Sequence, residues 1–209
     1  MPFNPAAKHT MLNALSEITH LGAHTVTDPG TGTNANSGEA TGGSYARQAV
    51  SFAASASEQK ANSGQVTIPV AAGSYAFVTL WTASSGNSGV YRGYLPINGA
   101  AKGFGSVDGA GVTADAIQSA GHGLADNDRV MVFAVFGESL PAGLSEGTIL
   151  HVVSSATDTF EVSATQGGAS VNITGQGELY FQKVIPETFA SPGEIVLDVG
   201  ALILDLTGI

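Results

Sequence analysis

The sequence contains no cysteine and few charged residues. Without cysteine the chain forms no disulfide and offers no thiolate to a metal ion. Only 11% of its residues are charged, about half the usual share, and its seven basic residues are scattered along the chain. Nucleic acids and anionic membranes attract clustered lysine and arginine. A chain of formal net charge −10 is therefore predicted to bind neither.

Long apolar runs are also missing. No run approaches the roughly 20 residues that a membrane-spanning helix needs. The N-terminal stretch MPFNPAAKHTML lacks the basic head and apolar core of a signal peptide. We therefore expect a protein that is made in a cytoplasm without a signal peptide.

Catalytic motifs are absent from the sequence. There is no G-x-S-x-G nucleophile elbow, no H-E-x-x-H pair and no Walker loop. Pairs of Asp and Glu can cleave glycosides, but the chain lacks the rung repeat of a long solenoid, a fold that often carries such sites. We expect no catalytic residue, no cofactor and no enzymatic activity, and a hydrolase has the least support.

Two patterns are weak candidates for metal ligands. His20 and His24 would share a face of a strand, but their Cα atoms would then lie roughly 13 Å apart. The Asp126-Asn127-Asp128 stretch begins like a calcium loop, but it lacks the glycine and glutamate that complete such a loop. We therefore predict two structural histidines, a polar turn and no metal site.

What the sequence does contain is short β-strands separated by glycine-rich turns. The stretch Ser63–Asn98 predicts strands at Gln65–Val70, Tyr75–Ala83 and Val90–Pro96. Both faces of Tyr75–Ala83 are largely apolar, and this strand contains the only tryptophan, so it is predicted to lie in the middle of a sandwich.

The remaining patterns predict an all-β protein. A short helix begins at Asn4-Pro5 and ends near Glu17. The first part of the chain is predicted to be a jelly-roll-like β-sandwich. Residues after about 110 show six short strands at roughly ten-residue spacing, which is typical of a small β-barrel or sandwich.

Two apolar stripes are predicted assembly surfaces. We expect them to be buried in a cyclic homo-oligomer such as a homotrimer, because an exposed apolar edge would aggregate. One stripe lies on the helix and the other on the last strand. Their residues are Met11, Leu12, Leu15 and Ile18, and Leu202, Leu204 and Leu206.

The first half of the chain resembles small structural proteins of tailed bacteriophages, usually described as tail-fibre or minor virion proteins. The matching blocks are the short helix, His24-Thr25-x-x-Asp28-Pro29-Gly30, Tyr45-Ala46-Arg47-Gln48, and the strand at Ala76–Thr82 followed by YRGYLPING. The resemblance implies a non-enzymatic component of a virion, and it leaves a head or a tail position open.

Residues His122–Val184 resemble a second phage-associated β-module. Its marks are HGLADNDRV, GESLPAGLSEGT, HVV, DTFEVSAT and GGASVNITGQG. Members of the first family often lack this module. The two resemblances imply an anchoring domain of residues 1–108 and 184–209, interrupted by a small module of residues 109–183 that is displayed outward. Two tandem domains with a C-terminal extension remain the alternative.

These observations lead to two functional hypotheses. The first is a structural protein of a tailed-phage virion, in a tail fibre, a minor tail component, a capsid decoration or a head spike. Its partners would be other virion proteins and its own copies. The alternative is a carbohydrate-binding module that acts in host adsorption, with Tyr91 and Tyr94 as glycan contacts because aromatic rings stack on sugars.

Overall fold

Short antiparallel strands are the main secondary structure of this protein. The structure is a computed structural model that describes residues 5–27, 38–85, 89–98, 103–108, 115–135 and 137–205. It confirms the all-β class, the short N-terminal helix and a small β-barrel. Helix α1 spans Pro5–Ala14 and continues as a 3-10 turn over Leu15–Glu17, so the helical segment ends where the sequence predicts. Asn4, at which the helix is predicted to begin, lies outside the described residues.

Two lysines hold α1 against the strands. Lys8 Nζ donates to Glu58 Oε2 at 2.8 Å, and Lys60 Nζ donates to the carbonyl oxygen of Leu12 at 3.3 Å. Both lysines are buried. A cation beside the last carbonyls of a helix interacts favourably with the helix dipole. Lys60 therefore stabilises the C-terminal end of α1 and its contact with β3 (Gln59–Ala61).

Strands from both ends of the chain form the first unit. Its central element is β5, whose residues from Tyr75 to Trp81 are all buried, as expected for a strand with two apolar faces. The five-stranded sheet includes β13 (Glu187–Phe189) in the order β13-β5-β1-β2, and β6 also pairs with β5. The strands before the barrel are β1 (His20–Thr25), β2 (Gln48–Ala49), β3 (Gln59–Ala61), β4 (Val66–Val70), β5 (Gly73–Trp81) and β6 (Tyr91–Pro96).

The second unit is a closed barrel with the strand order β10-β11-β8-β7-β12-β9. Closure pairs the outer strands β10 and β9 with each other, so the barrel presents side chains rather than a free strand edge. Its interior is filled by aliphatic and aromatic side chains. The strands are β7 (Gly103–Asp108), β8 (Ile117–Gln118), β9 (Arg129–Ala134), β10 (Ile149–Val153), β11 (Thr159–Ser163) and β12 (Gln176–Val184).

After the barrel, three strands return to the first unit. They are β13 (Glu187–Phe189), β14 (Gly193–Leu197) and β15 (Ile203–Asp205). Strand β13 pairs with β5, β14 with β4 and β15 with β3. Because the C-terminal strands complete ladders begun by N-terminal ones, the barrel is an insertion and the two units are not arranged in tandem.

The boundaries of the insertion differ from those predicted. The barrel unit starts at Pro96 rather than at residue 109 and ends at Ile185 rather than at residue 183. Residues 103–108, which the sequence assigns to the anchoring domain, form β7 and pair with β12 and β8. Their glycines are required by packing: a Cβ atom at Gly105 would lie 2.6 Å from Cγ2 of Ile117, and one at Gly103 would collide with the Phe181 ring. The segment is therefore a barrel strand and not part of the anchoring domain.

Asn62 fixes the returning C-terminal segment. Its side chain is buried, and its Nδ2 donates to the carbonyl oxygens of Asp198 and Gly64, both at 2.8 Å. Its Oδ1 accepts from the N–H of Leu202 at 2.9 Å, and its carbonyl oxygen accepts from the N–H of Gly200 at 3.0 Å. One amide thus satisfies several backbone groups that are remote in sequence, which are costly to leave unpaired when buried.

Candidate ligand site at the mouth of the barrel

The helical stripe predicted for assembly is mostly part of the core. Leu12 and Ile18 are 0% and 3% exposed, so they cannot contact a second subunit, and this part of the prediction is wrong. Their spacing indicated an apolar face, but that face packs within the same chain. Leu15 is half-buried, while Met11 is exposed.

The apolar stripe predicted on the last strand is also only partly available to a second subunit. Leu202 is buried, Leu204 is half-buried and Leu206 lies outside the described residues. The exposed apolar side chains in this region are Val196, Val199 and Ile203. Because side chains alternate between the faces of a strand, the available apolar face of β15 carries Ile203 and not Leu202.

The tyrosines predicted to contact a glycan serve the core. Tyr91 is 5% exposed, and its ring packs against Trp81 with 5.2 Å between ring centroids. Its face is therefore not available to a sugar, and this prediction is wrong. Tyr94 is half-buried and meets the ring of Phe77 edge-on at 5.3 Å.

The weak metal candidates are occupied by local hydrogen bonds. His24 is fully buried, and its Nδ1 lies 3.2 Å from the carbonyl oxygen of Thr25. Asp126 Oδ1 accepts from the N–H of Ser155, and Asp128 Oδ2 accepts from that of Ala125. Within the residues that the structure describes, no three His, Asp or Glu side chains are grouped so as to hold a metal ion.

A buried ion pair lies beside the only tryptophan. Arg47 donates from Nε to Glu39 Oε1 at 2.7 Å and from Nη2 to Oε2 at 2.8 Å. Its guanidinium carbon lies 3.4 Å from the centre of the Trp81 ring system, and the hydroxyl of Tyr45 donates to Glu39 Oε1 at 2.7 Å. Burial, followed by the hydrogen bond to Glu39, raises the pKa of Tyr45 well above its ordinary value. These charges satisfy one another, so the cluster stabilises the fold.

An open cleft of about 470 Å³ lies within the barrel unit. Strands β7 and β12 form one wall, and the segment that follows β8 forms the other. Mouths of β-barrels are common ligand sites. The lining residues are Gly103, Phe104, Ser119, Ala120, Gly121, His122, Gly123, Leu124, Phe181 and Lys183.

His122 shapes the cleft and is held on both sides of its ring. Its Nε2 lies 2.8 Å from the carbonyl oxygen of Ala156 and 3.2 Å from that of Thr159. Its Nδ1 accepts from the N–H of Leu124 at 3.0 Å, so the proton of the neutral ring is on Nε2. Both nitrogens are engaged by the backbone, and His122 is a structural part of the wall rather than an acid, a base or a ligand.

Lys183 lines the cleft and is paired with Asp128, which lies outside the lining. Lys183 Nζ lies 2.6 Å from Asp128 Oδ2, and the two side chains are 33% and 20% exposed. A paired lysine of this kind offers N–H donors beside a carboxylate acceptor, with little net charge. The cleft can therefore hydrogen-bond a polar neutral molecule better than it can attract an anion.

Three aromatic side chains form a row on the outer surface of the barrel. Tyr180 on β12 is directly opposite Phe104 on β7 and directly opposite Phe133 on β9. The residues beside Tyr180 in sequence, Leu179 and Phe181, belong to the barrel core, so the row faces outward. Phe104 is 48% and Tyr180 36% exposed, and their rings meet at 5.8 Å. Phe104 thus belongs to both the row and the cleft.

No protein-family model, curated protein or solved structure matches this chain. The role of the cleft and of the aromatic row is therefore inferred from their own residues. No helix in the described part of the chain is long and apolar enough to cross a bilayer. Sequence analysis missed Phe104 because it stands in a glycine-rich stretch. The alternation Gly103-Phe104-Gly105 could have indicated a strand here, because glycine within a strand often marks a close approach of another backbone or side chain.

Proposed function

We propose that this protein is a non-enzymatic structural component of a tailed-phage virion, in a tail fibre, a minor tail component or a head decoration. The split β-domain attaches to the particle and to its own copies, and the inserted barrel offers a binding surface. The composition and the resemblance to phage structural proteins support this assignment.

The observation that carries the proposal is the way the barrel is inserted. The two ends of the barrel unit are tied together, because Asn98 Nδ2 donates to the carbonyl oxygen of Ile185 at 3.2 Å. An insertion whose ends lie together leaves its host fold intact. A closed barrel with its own core is thus carried by a second β-unit, an arrangement suited to joining a scaffold role and a contact role in one chain.

The exposed apolar residues of the first unit supply the assembly surface in this proposal. Val196, Val199 and Ile203 are 50%, 65% and 45% exposed. Burial of such side chains between copies of a cyclic homo-oligomer stabilises the assembly. Light scattering of the purified protein should show an oligomer that Val199→Asp dissociates. A wild-type protein that stays monomeric at high concentration contradicts this assembly.

Labelling of particles tests the virion assignment. Antibodies against the purified full chain should decorate gradient-purified phage particles in immunogold electron micrographs, and the position of the label separates head from tail. Quantitative mass spectrometry of the same particles gives the copy number, which is high for a capsid decoration and low for a tail tip. A protein that is abundant in the lysate and absent from the particles overturns the assignment.

A carbohydrate-binding role is the second candidate. The row favours it, because Phe104 and Tyr180 are exposed and Phe133 is half-buried beside them, and aromatic rings on rigid strands are a common means of binding sugars and other amphipathic ligands. This role is compatible with a virion protein.

A further inference from the structure

We propose that the outer face of the inserted barrel, at Phe104 and Tyr180, is a binding site for a neutral oligosaccharide that extends into the adjacent cleft. This inference does not depend on where the protein lies in a virion.

The rings are presented rigidly. Phe104 and Tyr180 stand opposite each other on hydrogen-bonded strands of a closed barrel. Their strand neighbours, including Leu179 and Phe181, are fixed in the packed core. The two rings are inclined by 68° to each other, so a flat apolar face stacks on Phe104 while the edge of Tyr180 borders it, and a ring already held in place costs little entropy on binding. The C–H face of a pyranose is such a surface.

Polar groups border the rings at the spacing of a sugar ring. Glu178 and Ser106 form the next outward-facing cross-strand pair, and residues two apart on a strand lie roughly 7 Å apart. On the other side, Phe104 opens onto the cleft that holds Lys183. A sugar stacked on Phe104 can therefore place its hydroxyl groups against a carboxylate on one side and a lysine donor on the other.

The charges favour a neutral ligand. The chain has a formal net charge of −10, and Glu178 is exposed beside the rings. The lysine of the cleft is already paired with Asp128. An acidic polysaccharide would meet a repulsive field here, whereas hydroxyl groups can both donate to carboxylates and accept from the lysine.

A protein partner fits this face less well. Stable protein interfaces bury about 800 Å² on each partner around a continuous apolar centre. Here the apolar strip is one row of side chains wide and is bordered by Glu178 and Ser106. A narrow aromatic strip with polar margins matches the alternating apolar faces and hydroxyl edges of a glycan chain.

The test uses the full chain on an array of neutral and acidic glycans, followed by isothermal titration with a bound neutral oligosaccharide such as cellohexaose or chitohexaose. We expect binding to neutral glycans. Phe104→Ala should weaken it by about tenfold or more, the loss of one stacked ring, and Tyr180→Phe should weaken it by less than about threefold.

Tyr94→Ala is the matched control, because it removes an aromatic ring from the first unit. It should leave binding unchanged, and circular dichroism and thermal melting should confirm that each variant is folded. Binding that survives in a doubly substituted Phe104→Ala, Tyr180→Ala protein overturns the site. Binding to acidic glycans alone, binding to no glycan, or capture of a protein partner through these rings overturns the ligand class.

Discussion

Replacing Glu39 by glutamine should strongly destabilise the first unit. Glu39 accepts two hydrogen bonds from Arg47 and one from Tyr45, and the side chains of Glu39 and Arg47 are only 14% and 3% exposed. Glutamine keeps one oxygen but presents an NH2 group to a guanidinium that has only donors. Arg47 then loses its carboxylate partner while it stays buried over the Trp81 ring.

The cost follows from the burial of that cation. Removing one partner of a buried ion pair costs about 3–5 kcal/mol, and we expect about 3 kcal/mol here because Glu39 retains some contact with solvent. For a unit of this size, with a urea dependence of about 1.5–3 kcal/mol per molar, the unfolding midpoint should fall by about 1–2 M. Trp81 is the only tryptophan, so its fluorescence reports the unfolding of this unit.

The chain provides a matched control for this experiment. Glu17 and Arg92 form an ion pair of 2.8 Å in the same unit, but their side chains are 47% and 37% exposed. Glu17→Gln should cost no more than about 1 kcal/mol, as is usual for surface pairs. If Glu39→Gln costs less than about 1 kcal/mol, or no more than Glu17→Gln, then the reasoning from burial is refuted.

Three further predictions concern hydrogen bonding, ionisation and packing. Asn62→Asp should lower the unfolding free energy by about 3 kcal/mol at neutral pH, because a carboxylate would face two carbonyl oxygens. Near pH 4 part of this loss relative to wild type should be regained, because a protonated carboxyl group can donate a hydrogen bond. Urea titration followed by tryptophan fluorescence measures both values. The raised pKa of Tyr45 means that the folded chain holds the phenol proton more tightly than the unfolded chain. The contribution of this proton to stability is therefore complete below about pH 10 and is lost as the pH rises further. Tyr45→Phe should reduce the fall of the urea midpoint between pH 9 and 10.5, and an equal fall in both proteins would contradict this. Gly105→Ala should lower the melting temperature of the barrel, because the added methyl group meets Ile117 and costs about 1–3 kcal/mol of unfolding free energy. Gly64 has open space around it, so Gly64→Ala should not change the melting of either unit. Calorimetry measures both variants.

The strand β5 shows what sequence patterns could predict. Its two apolar faces indicated a central strand, and its residues from Tyr75 to Trp81 are all buried. The helix was equally clear, because its apolar spacing and its proline at the first position are local signals. Such features depend on residues that are close in sequence.

The candidate site was beyond the reach of the same patterns. Burial of Tyr91 depends on its contact with Trp81, and the use of Ile203 rather than Leu202 depends on which face of β15 meets the core. The sequence assigns Gly103 and Gly105 to the anchoring domain, and closely spaced glycines usually indicate a turn. Here the glycines make room for Phe181 and Ile117, partners that are many residues away. Contacts of this kind depend on the topology of the barrel and cannot be predicted from residues that are close in sequence.

The tied ends of the barrel have a consequence for inheritance. Asn98 and Ile185 close the base of the insert, and β13 returns to the same sheet that β6 joins. One recombination event can therefore remove or exchange the coding segment for residues 96–185. Every strand ladder of the host unit is kept, and only the last residue of β6 is lost. The barrel can therefore be exchanged as one unit, while the strand ladders of the host unit stay in place.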